Sequence, residues 1–388
     1  MQLSIKQAIL KDALGQVGRC VASKSTLPVL SNVLLRAEDN TLTLAATNLE
    51  CGLVVKVGVG LVKEPGDITV PAKLLSDLVN SLPKNELITL EDTGRTATLK
   101  VSCAGSRSSV KGIPSSEFPD QPRPDVGNAI ALDPAALREA IAQVIFCAAS
   151  DDSRAVLTGV LVEVKGSEGH CSSALSLAAS NGFRLGVAEL PLPKDTPPAS
   201  AIVPVKSLAE VARLCANVES VQMVLTDSQA FFITENAVLS SQLVEGKFPD
   251  YRRLVPTSHS TSLLADVAAL REAVRVASLF ARDSANIVRL GIWPAENGTP
   301  ARVWVEATSD KTGNSVAEIA GYIEGDKLDI NFNATYLADT LAAIKTMQVQ
   351  LTASVASAPA RFAPVHLDGH KPLELESQHV IMPMYIDR

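Results

Sequence analysis

Ala136-Leu-Arg-Glu-Ala140 recurs without change as Ala269-Leu-Arg-Glu-Ala273, 133 residues further on. A pentapeptide alone could repeat by chance, so its surroundings decide the matter. Each copy opens a helix-period segment, Leu137-Arg-Glu-Ala-Ile141 and Leu270-Arg-Glu-Ala-Val274, and Leu10-Lys-Asp-Ala-Leu14 stands in the same place near the start of the chain. An apolar, strand-like run follows each time: Leu30-Ser-Asn-Val-Leu-Leu35, Leu157-Thr-Gly-Val-Leu-Val162 and Ile287-Val-Arg-Leu-Gly-Ile292. Then come Ala46-Thr-Asn48, Ala179-Ser-Asn181 and Ala307-Thr-Ser309. A strand leading into a second helix closes the series, at Ile68-Thr-Val-Pro-Ala-Lys73, Ile202-Val-Pro-Val-Lys206 and Ile330-Asn-Phe-Asn-Ala334.

Corresponding landmarks lie 127–133 residues apart. That period is too long for a solenoid unit and fits a whole domain. Within each copy, apolar residues at helical spacing follow the fourth landmark: Leu74, Leu75, Leu78, Val79 and Leu82 in the first copy. Alternating strands come next, such as Glu86-Leu-Ile-Thr-Leu90 and Val221-Gln-Met-Val-Leu225. Proline-rich joints fall where the period places them, at Phe118-Pro-Asp-Gln-Pro-Arg-Pro124 and Pro249-Asp-Tyr-Arg-Arg-Leu-Val-Pro256. The expected fold class is α+β: three repeated domains, 1–124, 125–257 and 258–388, each with two helices plus antiparallel sheets. Like domains joined end to end repeat one heterologous contact, which closes into a ring when the rotation per step divides the circle.

Composition narrows the function. The 388 residues are 46% hydrophobic and 20% charged, which supports sizeable cores and excludes wholesale disorder. No apolar run approaches the ~18 residues of a membrane span. Met1-Gln-Leu-Ser-Ile-Lys-Gln7 opens directly into a patterned segment, so secretion is not expected. Six scattered cysteines without a CxxC pair read as small buried hydrophobes of a reducing cytoplasm. The net charge is −7, so any contact with DNA must be confined to one basic face.

Catalytic constellations are missing from the sequence: there is no GxGxxG, GxxxxGK[ST], HExxH or GxSxG. His366 and His370 are four apart but flank Asp368-Gly369, which suggests a turn, and neither a metal nor a cofactor is expected. One pattern mimics an enzyme. Ser108-Ser-Val-Lys111, Ser284-Ala-Asn286 and Lys311-Thr-Gly313 match the SxxK, SxN and KTG elements of penicillin-recognising serine enzymes. The segment around Ser108 has no helical stripe and reads as strand or loop, whereas that chemistry needs the serine to start a helix. The residues themselves leave open a repeat scaffold, whether or not it closes into a ring, and this acyl-enzyme.

Thr26-Leu-Pro-Val-Leu-Ser-Asn32, Val70-Pro-Ala-Lys73, Phe248-Pro-Asp-Tyr-Arg-Arg253 and Val380-Ile-Met-Pro-Met384 together resemble the bacterial sliding clamps, the beta subunits of DNA polymerase III. The resemblance implies a homodimer closed into a ring around duplex DNA, with helices lining the hole, and a non-catalytic processivity factor in the cytoplasm at the nucleoid. Its implied partners are the polymerase III alpha subunit, the clamp loader and other proteins that carry a clamp-binding motif. Topological enclosure does the holding, so contacts with DNA can stay weak and directed at phosphate. The resemblance places Lys24, Lys73, Arg154 and Lys206 at the bore or rim. Lys24 and Lys73 stand where many relatives have arginine, and Ala155-Val156 stand where a relative has a tyrosine pair, so stacking on single-stranded DNA is not expected.

It also implies a peptide-binding pocket walled by Leu157, Ser180, Gly182, Phe183, Arg184, Leu185, Pro249, Arg253 and Leu254, completed by Val380, Ile381, Met382, Pro383 and Met384. Aliphatic and methionine side chains make such a cleft adaptable. Two large peptide side chains buried there yield roughly 1.5–3 kcal/mol each, short of the ~8 kcal/mol of micromolar affinity. Backbone hydrogen bonds, and Arg184 or Arg253, are expected to contribute as well. Phe183 replaces a relative's histidine, and the chain continues as Tyr385-Ile-Asp-Arg388, so the lip is expected to differ from that of relatives. The dimer contact implied joins domain one to domain three of a second chain through Leu279 and Phe280, with Ser108 where a relative has phenylalanine.

Overall fold

The structure, a computed structural model, describes residues 1–22, 26–92, 94, 96–166, 173–193, 196–296, 299–366 and 375–385. Three modules follow one another in nearly the same element order, the second having four strands between its helices where the first and third have five. The first runs β1 (Gln2–Lys6), α1 (Gln7–Val17), β2 (Asn32–Glu38), β3 (Thr41–Thr47), β4 (Cys51–Gly58), β5 (Leu61–Glu64), β6 (Gly66–Pro71), α2 (Ala72–Ser81), β7 (Leu87–Asp92), β8 (Thr98–Cys103) and β9 (Ser106–Lys111). The second runs β10 (Ile130–Leu132), α3 (Pro134–Val144), β11 (Gly159–Lys165), β12 (Ala174–Ser180), β13 (Arg184–Pro191), β14 (Ala199–Pro204), α4 (Val205–Leu214), β15 (Val221–Leu225), β16 (Gln229–Ile233) and β17 (Ala237–Gln242). The third runs β18 (Thr261–Asp266), α5 (Val267–Ala281), β19 (Ile287–Trp293), β20 (Arg302–Ser309), β21 (Gly313–Ile319), β22 (Gly321–Gly325), β23 (Leu328–Asn333), α6 (Ala334–Ala343), β24 (Gln348–Ala353), β25 (Ala360–Val365) and β26 (Glu376–Ile381).

The helices form where the apolar spacing predicts them. In α1, Leu10, Ala13, Leu14 and Val17 are buried at i, i+3, i+4 and i+7. Asp266 caps α5 by accepting from the Ala269 amide, and Asn333 caps α6 by accepting from Thr335 and Tyr336. Leu74, counted in the α2 stripe, is instead exposed beside Lys73, while Ala72, Leu75 and Val79 face inward.

Every module splits its strands between two sheets, and the sheets do not stop at the module boundaries. All pairings are antiparallel. An eight-stranded sheet runs β10-β15-β16-β17-β4-β3-β2-β6, so the second module's strands continue into the first module's through β17 and β4. A nine-stranded sheet runs β14-β11-β12-β13-β26-β25-β24-β18-β22, joining the second module to the third through β13 and β26. A five-stranded sheet, β5-β1-β7-β8-β9, and a four-stranded sheet, β21-β20-β19-β23, complete the molecule. Accordingly the chain gathers into two compact units, residues 1–134 with 213–243 and residues 135–212 with 244–388.

Within the second unit, one core is drawn from both sheets and both helices of the third module. Phe332 on β23 meets Phe362 on β25 edge to face, ring centroids 5.7 Å apart, so the pair ties the four-stranded sheet to the nine-stranded one. Both rings are fully buried. Phe332→Ala is expected to lower stability by about 3–5 kcal/mol through the cavity it leaves. Urea denaturation of the variant measures this, and a loss under about 1 kcal/mol would contradict the packing described.

Candidate functional site

The turn from β12 to β13 is built by two polar side chains. Ser180 Oγ accepts from the Gly182 amide (3.1 Å) and donates to the Arg184 carbonyl (2.8 Å). Asn181 Oδ1 accepts from the amides of Phe183 and Arg184, both at 3.0 Å. Gly182 has φ +90°, the left-handed region where glycine carries no steric cost. Across the turn, β26 aligns Val380 with Leu185 and Ile381 with Arg184, and the Met382 amide donates to the Phe183 carbonyl at 2.8 Å. Met384 then donates to the Asn331 carbonyl at 2.9 Å, which pins the tail.

The segment 248–253 supplies the opposite wall. Phe248 and Tyr251, three residues apart, are both buried, and the Tyr251 hydroxyl lies 3.1 Å from Ser176 Oγ. They join Leu157, Leu185 and Val380 in one apolar cluster, with Val156, Val244 and Val255 packed against it. These anchors leave Pro249, Arg253 and Leu254 facing solvent. The structure therefore brings the pocket residues together and divides them. Leu157, Ser180, Leu185, Val380, Ile381 and Pro383 form a buried floor, whereas Gly182, Phe183, Pro249, Arg253, Leu254 and Met382 form an exposed lip and Met384 is half-buried.

The two arginines behave differently. Arg253 is an open rim cation, its side chain 85% exposed and paired with Asp250 at 2.9 Å. Arg184 is only 10% exposed. Its guanidinium donates to Asp339 at 2.6 Å and to the Phe146 carbonyl, and lies over the rings of Tyr336 (4.6 Å) and Phe146 (5.2 Å). It ties α3's end and α6 to β13. Beside it His379, fully buried on β26, sits 3.1 Å from Gln143 Oε1 and 5.6 Å from the Phe146 ring. Burial, with the Arg184 charge adding, lowers the His379 pKa to about 4. Burial likewise pushes the neighbouring Cys147 thiol up to about 12. Sequence reading missed Tyr251, Asp339, Tyr336 and His379. Only Tyr251 carried a local signal, the aromatic pair three apart in 248–251.

Lys73 and Lys206 occupy the same place in their modules, the second residue of α2 and of α4, and both are exposed. A cation at a helix N-terminus opposes the macrodipole by roughly 0.3–1 kcal/mol, whereas a phosphate there is favoured. Arg154 is exposed and lies over Gly182: a Cβ built on that glycine would stand 3.3 Å from Arg154 Nη1. Lys24 lies outside the described residues, as do His370 and Ile386–Arg388. Leu279 is 51% exposed near the end of α5, a helix that packs across β20 and β21, while Phe280 packs half-buried against the third module's core. Ser108 and Lys111 lie on strand β9, where residues three apart point to opposite faces, so the lysine cannot address the serine as SxxK chemistry requires. Among the described residues no group of three or more potential metal ligands gathers, and no described helix is long and apolar enough to cross a membrane.

Three like modules joined sheet to sheet, with an apolar cluster at the second junction, define the architecture of a sliding clamp. Residues 1–122, 131–250 and 252–385 match, in order, the N-terminal, central and C-terminal domains of the DNA polymerase III beta subunit. The chain is 32% identical over 387 residues to the beta sliding clamp of Pseudomonas aeruginosa, covering 99% of this chain and 100% of that one. It is 30% identical over 371 residues to that of Synechococcus elongatus, covering 94% and 96%. Among solved structures, a sliding clamp from Pseudomonas aeruginosa bound to griselimycin superposes with TM-score 0.89 at 31% identity, and the beta subunit of Streptococcus pyogenes with 0.90 at 25%, each covering 100% of both chains. The chain belongs to the DNA polymerase III beta subunit family, the beta sliding clamps that serve as processivity factors of replication.

The buried histidine gives the second junction a pH signature. His379 is neutral in the fold and titrates near 4, against about 6.5 in an unfolded chain. A lowered histidine pKa means the unfolded state binds the proton first, so this contribution is complete above pH ~6.5 and is lost as pH falls toward 4. It amounts to roughly 3 kcal/mol over that interval. His379→Gln is expected to flatten the fall in unfolding midpoint between pH 6.5 and 4 relative to the parent chain. Parallel pH profiles would show that His379 is not held neutral.

Proposed function

We propose that two copies of this chain close into a six-module ring around duplex DNA, with the modules dividing near 1–124, 125–257 and 258–388 and the helices turned inward. Strand-edge pairing carries this reading. Inside the chain, the fourth strand of one module takes the last strand of the next, first as β4 with β17 and again as β13 with β26. The equivalent third pair is β21 and β9, and each stands at the end of its sheet. An end strand offers a row of backbone donors and acceptors that invites another strand. Pairing β21 of one chain with β9 of a second repeats the junction already used twice, and a repeated heterologous contact that meets itself makes a ring. Leu279 on α5 and Ser108 on β9 lie along those two edges and would meet in the contact, with Phe280 behind Leu279 as its support.

Enclosure supplies grip without base readout, so Lys73, Lys206, Arg154 and Lys24 need only meet phosphates loosely. The cleft at the second junction would receive short peptide motifs of the polymerase III alpha subunit, the clamp loader and other clamp-binding proteins. Phe183, Leu254 and Met382 would contact apolar side chains, with Arg253 at the rim. Arg184 acts as the positioning residue beneath them rather than as a ligand contact. The chain is then a non-catalytic subunit, working in the cytoplasm at the nucleoid.

Light scattering is expected to give twice 40.9 kDa for the parent chain. Leu279→Asp should shift it toward 40.9 kDa with little change in unfolding midpoint, because the residue is half exposed in the single chain. A monomeric parent would remove the two-chain ring. Lys73→Glu with Lys206→Glu should weaken clamp-stimulated synthesis, with the deficit widening as salt screens the remaining contacts. Unchanged synthesis would remove both lysines from the DNA contact.

A further inference from the structure

The turn at the first junction copies the peptide-cleft turn bond for bond. Thr47 Oγ1 accepts from the Leu49 amide (3.0 Å) and donates to the Cys51 carbonyl (3.1 Å), as Ser180 does for Gly182 and Arg184. Asn48 Oδ1 accepts from the amides of Glu50 (3.0 Å) and Cys51 (2.7 Å), as Asn181 does for Phe183 and Arg184. The Gln242 amide donates to the Glu50 carbonyl at 2.7 Å, in the role that Met382 has toward Phe183. Gly52 faces Ser240 in register as Leu185 faces Val380. Even the backbone angle is kept: Leu49 has φ +74° where Gly182 has +90°. A leucine held there carries strain of the order of 1–2 kcal/mol that glycine would avoid.

The geometry is shared and the chemistry is not. Where the second junction has Leu185, Val380, Ile381 and Met382, the first has Gly52, Ser240, Ser241 and Gln242. Here a cleft of about 370 Å³ is lined by Leu49, Gly52 and Gln242 together with Pro119, Asp120 and Gln121. A Cβ on Gly52 would stand 2.8 Å from Ser240 Oγ and 3.0 Å from Gln121 Oε1, so the floor is polar. Glu50 and Asp120 are exposed on its rim, and among the described residues no lysine or arginine lines it. Leu49, 52% exposed, offers an apolar strip at the lip that suits the aliphatic stem of a lysine.

We infer that this cleft is a second peptide-docking site, tuned to an extended segment of small polar and basic residues rather than to large apolar anchors. The inference rests on the reading of the second-junction cleft as a peptide site, which it extends by internal repetition. An acidic rim over hydroxyl and amide groups selects a cationic strand, and the two sites would let one clamp hold partners of different composition without competition.

Two fluorescein-labelled decapeptides test it by anisotropy on the full chain: one of alternating lysine and serine, the other carrying leucine and phenylalanine among neutral residues. The basic peptide is expected to bind saturably, to weaken at least about ten-fold with Glu50→Lys plus Asp120→Lys, and to bind undiminished with Leu254→Ala plus Met382→Ala. The apolar peptide should show the reverse. Glu86→Lys plus Glu219→Lys, exposed residues outside the cleft lining, change net charge equally and should leave basic-peptide binding within about two-fold of the Leu254→Ala plus Met382→Ala variant. No saturable binding of the basic peptide, equal binding to Glu50→Lys plus Asp120→Lys, or equal loss in the charge-matched control overturns the inference. Failure of the apolar peptide alone would instead overturn the second-junction reading, leaving basic-peptide binding to stand on its own measurement.

Discussion

Unpaired strand edges govern this molecule. A sheet edge exposes a row of backbone N–H and C=O groups that either find a partner strand or invite a wrong one. The chain meets that demand twice in the same way, passing the fourth strand of one module to the last strand of the following one. Each junction is therefore a continuous antiparallel sheet instead of a flexible hinge, and the proline-rich joints 118–124 and 249–256 run beside it, tethered by buried Phe118, Phe248 and Tyr251. The remaining two edges, β9 and β21, each stand at the end of a sheet. The proposed ring, and with it the ability to hold DNA through weak contacts, follows from that one constraint.

The two junctions show how a repeated backbone can be given different work. Identical turn hydrogen bonds hold Thr47–Cys51 and Ser180–Arg184, yet the side chains projecting from them diverge. At the second junction, Arg184 with Asp339, Phe146 and Tyr336 makes a buried knot beside an apolar cluster. A charge so thoroughly enclosed is costly unless paired, and here a carboxylate, a carbonyl and two ring faces compensate it. At the first junction the position of Arg184 is taken by Cys51, and the floor is built from hydroxyl and amide groups.

Much of this was legible in the residues. The period of 127–133, the four landmarks and the element order are local properties of sequence, and the structure repeats them module by module. The lysines of Val70-Pro-Ala-Lys73 and Val203-Pro-Val-Lys206 read directly as the starts of second helices. What the sequence hid was non-local. Nothing in Ala237–Gln242 says that it will pair with Cys51–Gly58 of the preceding module, because backbone hydrogen bonding leaves little trace in side-chain pattern. Leu74 fits the helical stripe yet lies exposed, since a five-leucine pattern does not reveal which members the neighbouring strand covers. Arg184 read as a ligand contact because its partners Asp339 and Tyr336 lie more than 150 residues away. The residues expected to wall a pocket gave no sign in sequence of which would be buried, which packing against Tyr251 and Phe248 decides.

Topological retention on DNA tests the ring most directly. Purified chain is loaded by a bacterial clamp loader onto a nicked circular plasmid, and bound protein is followed by gel filtration at high salt before and after a single restriction cut. The expected result is stable co-elution with the circle and release once the ends are free. Protein that stays bound to the linear form, or never resists salt on the circle, would contradict closure by the β9 and β21 edges and leave only an open array of modules.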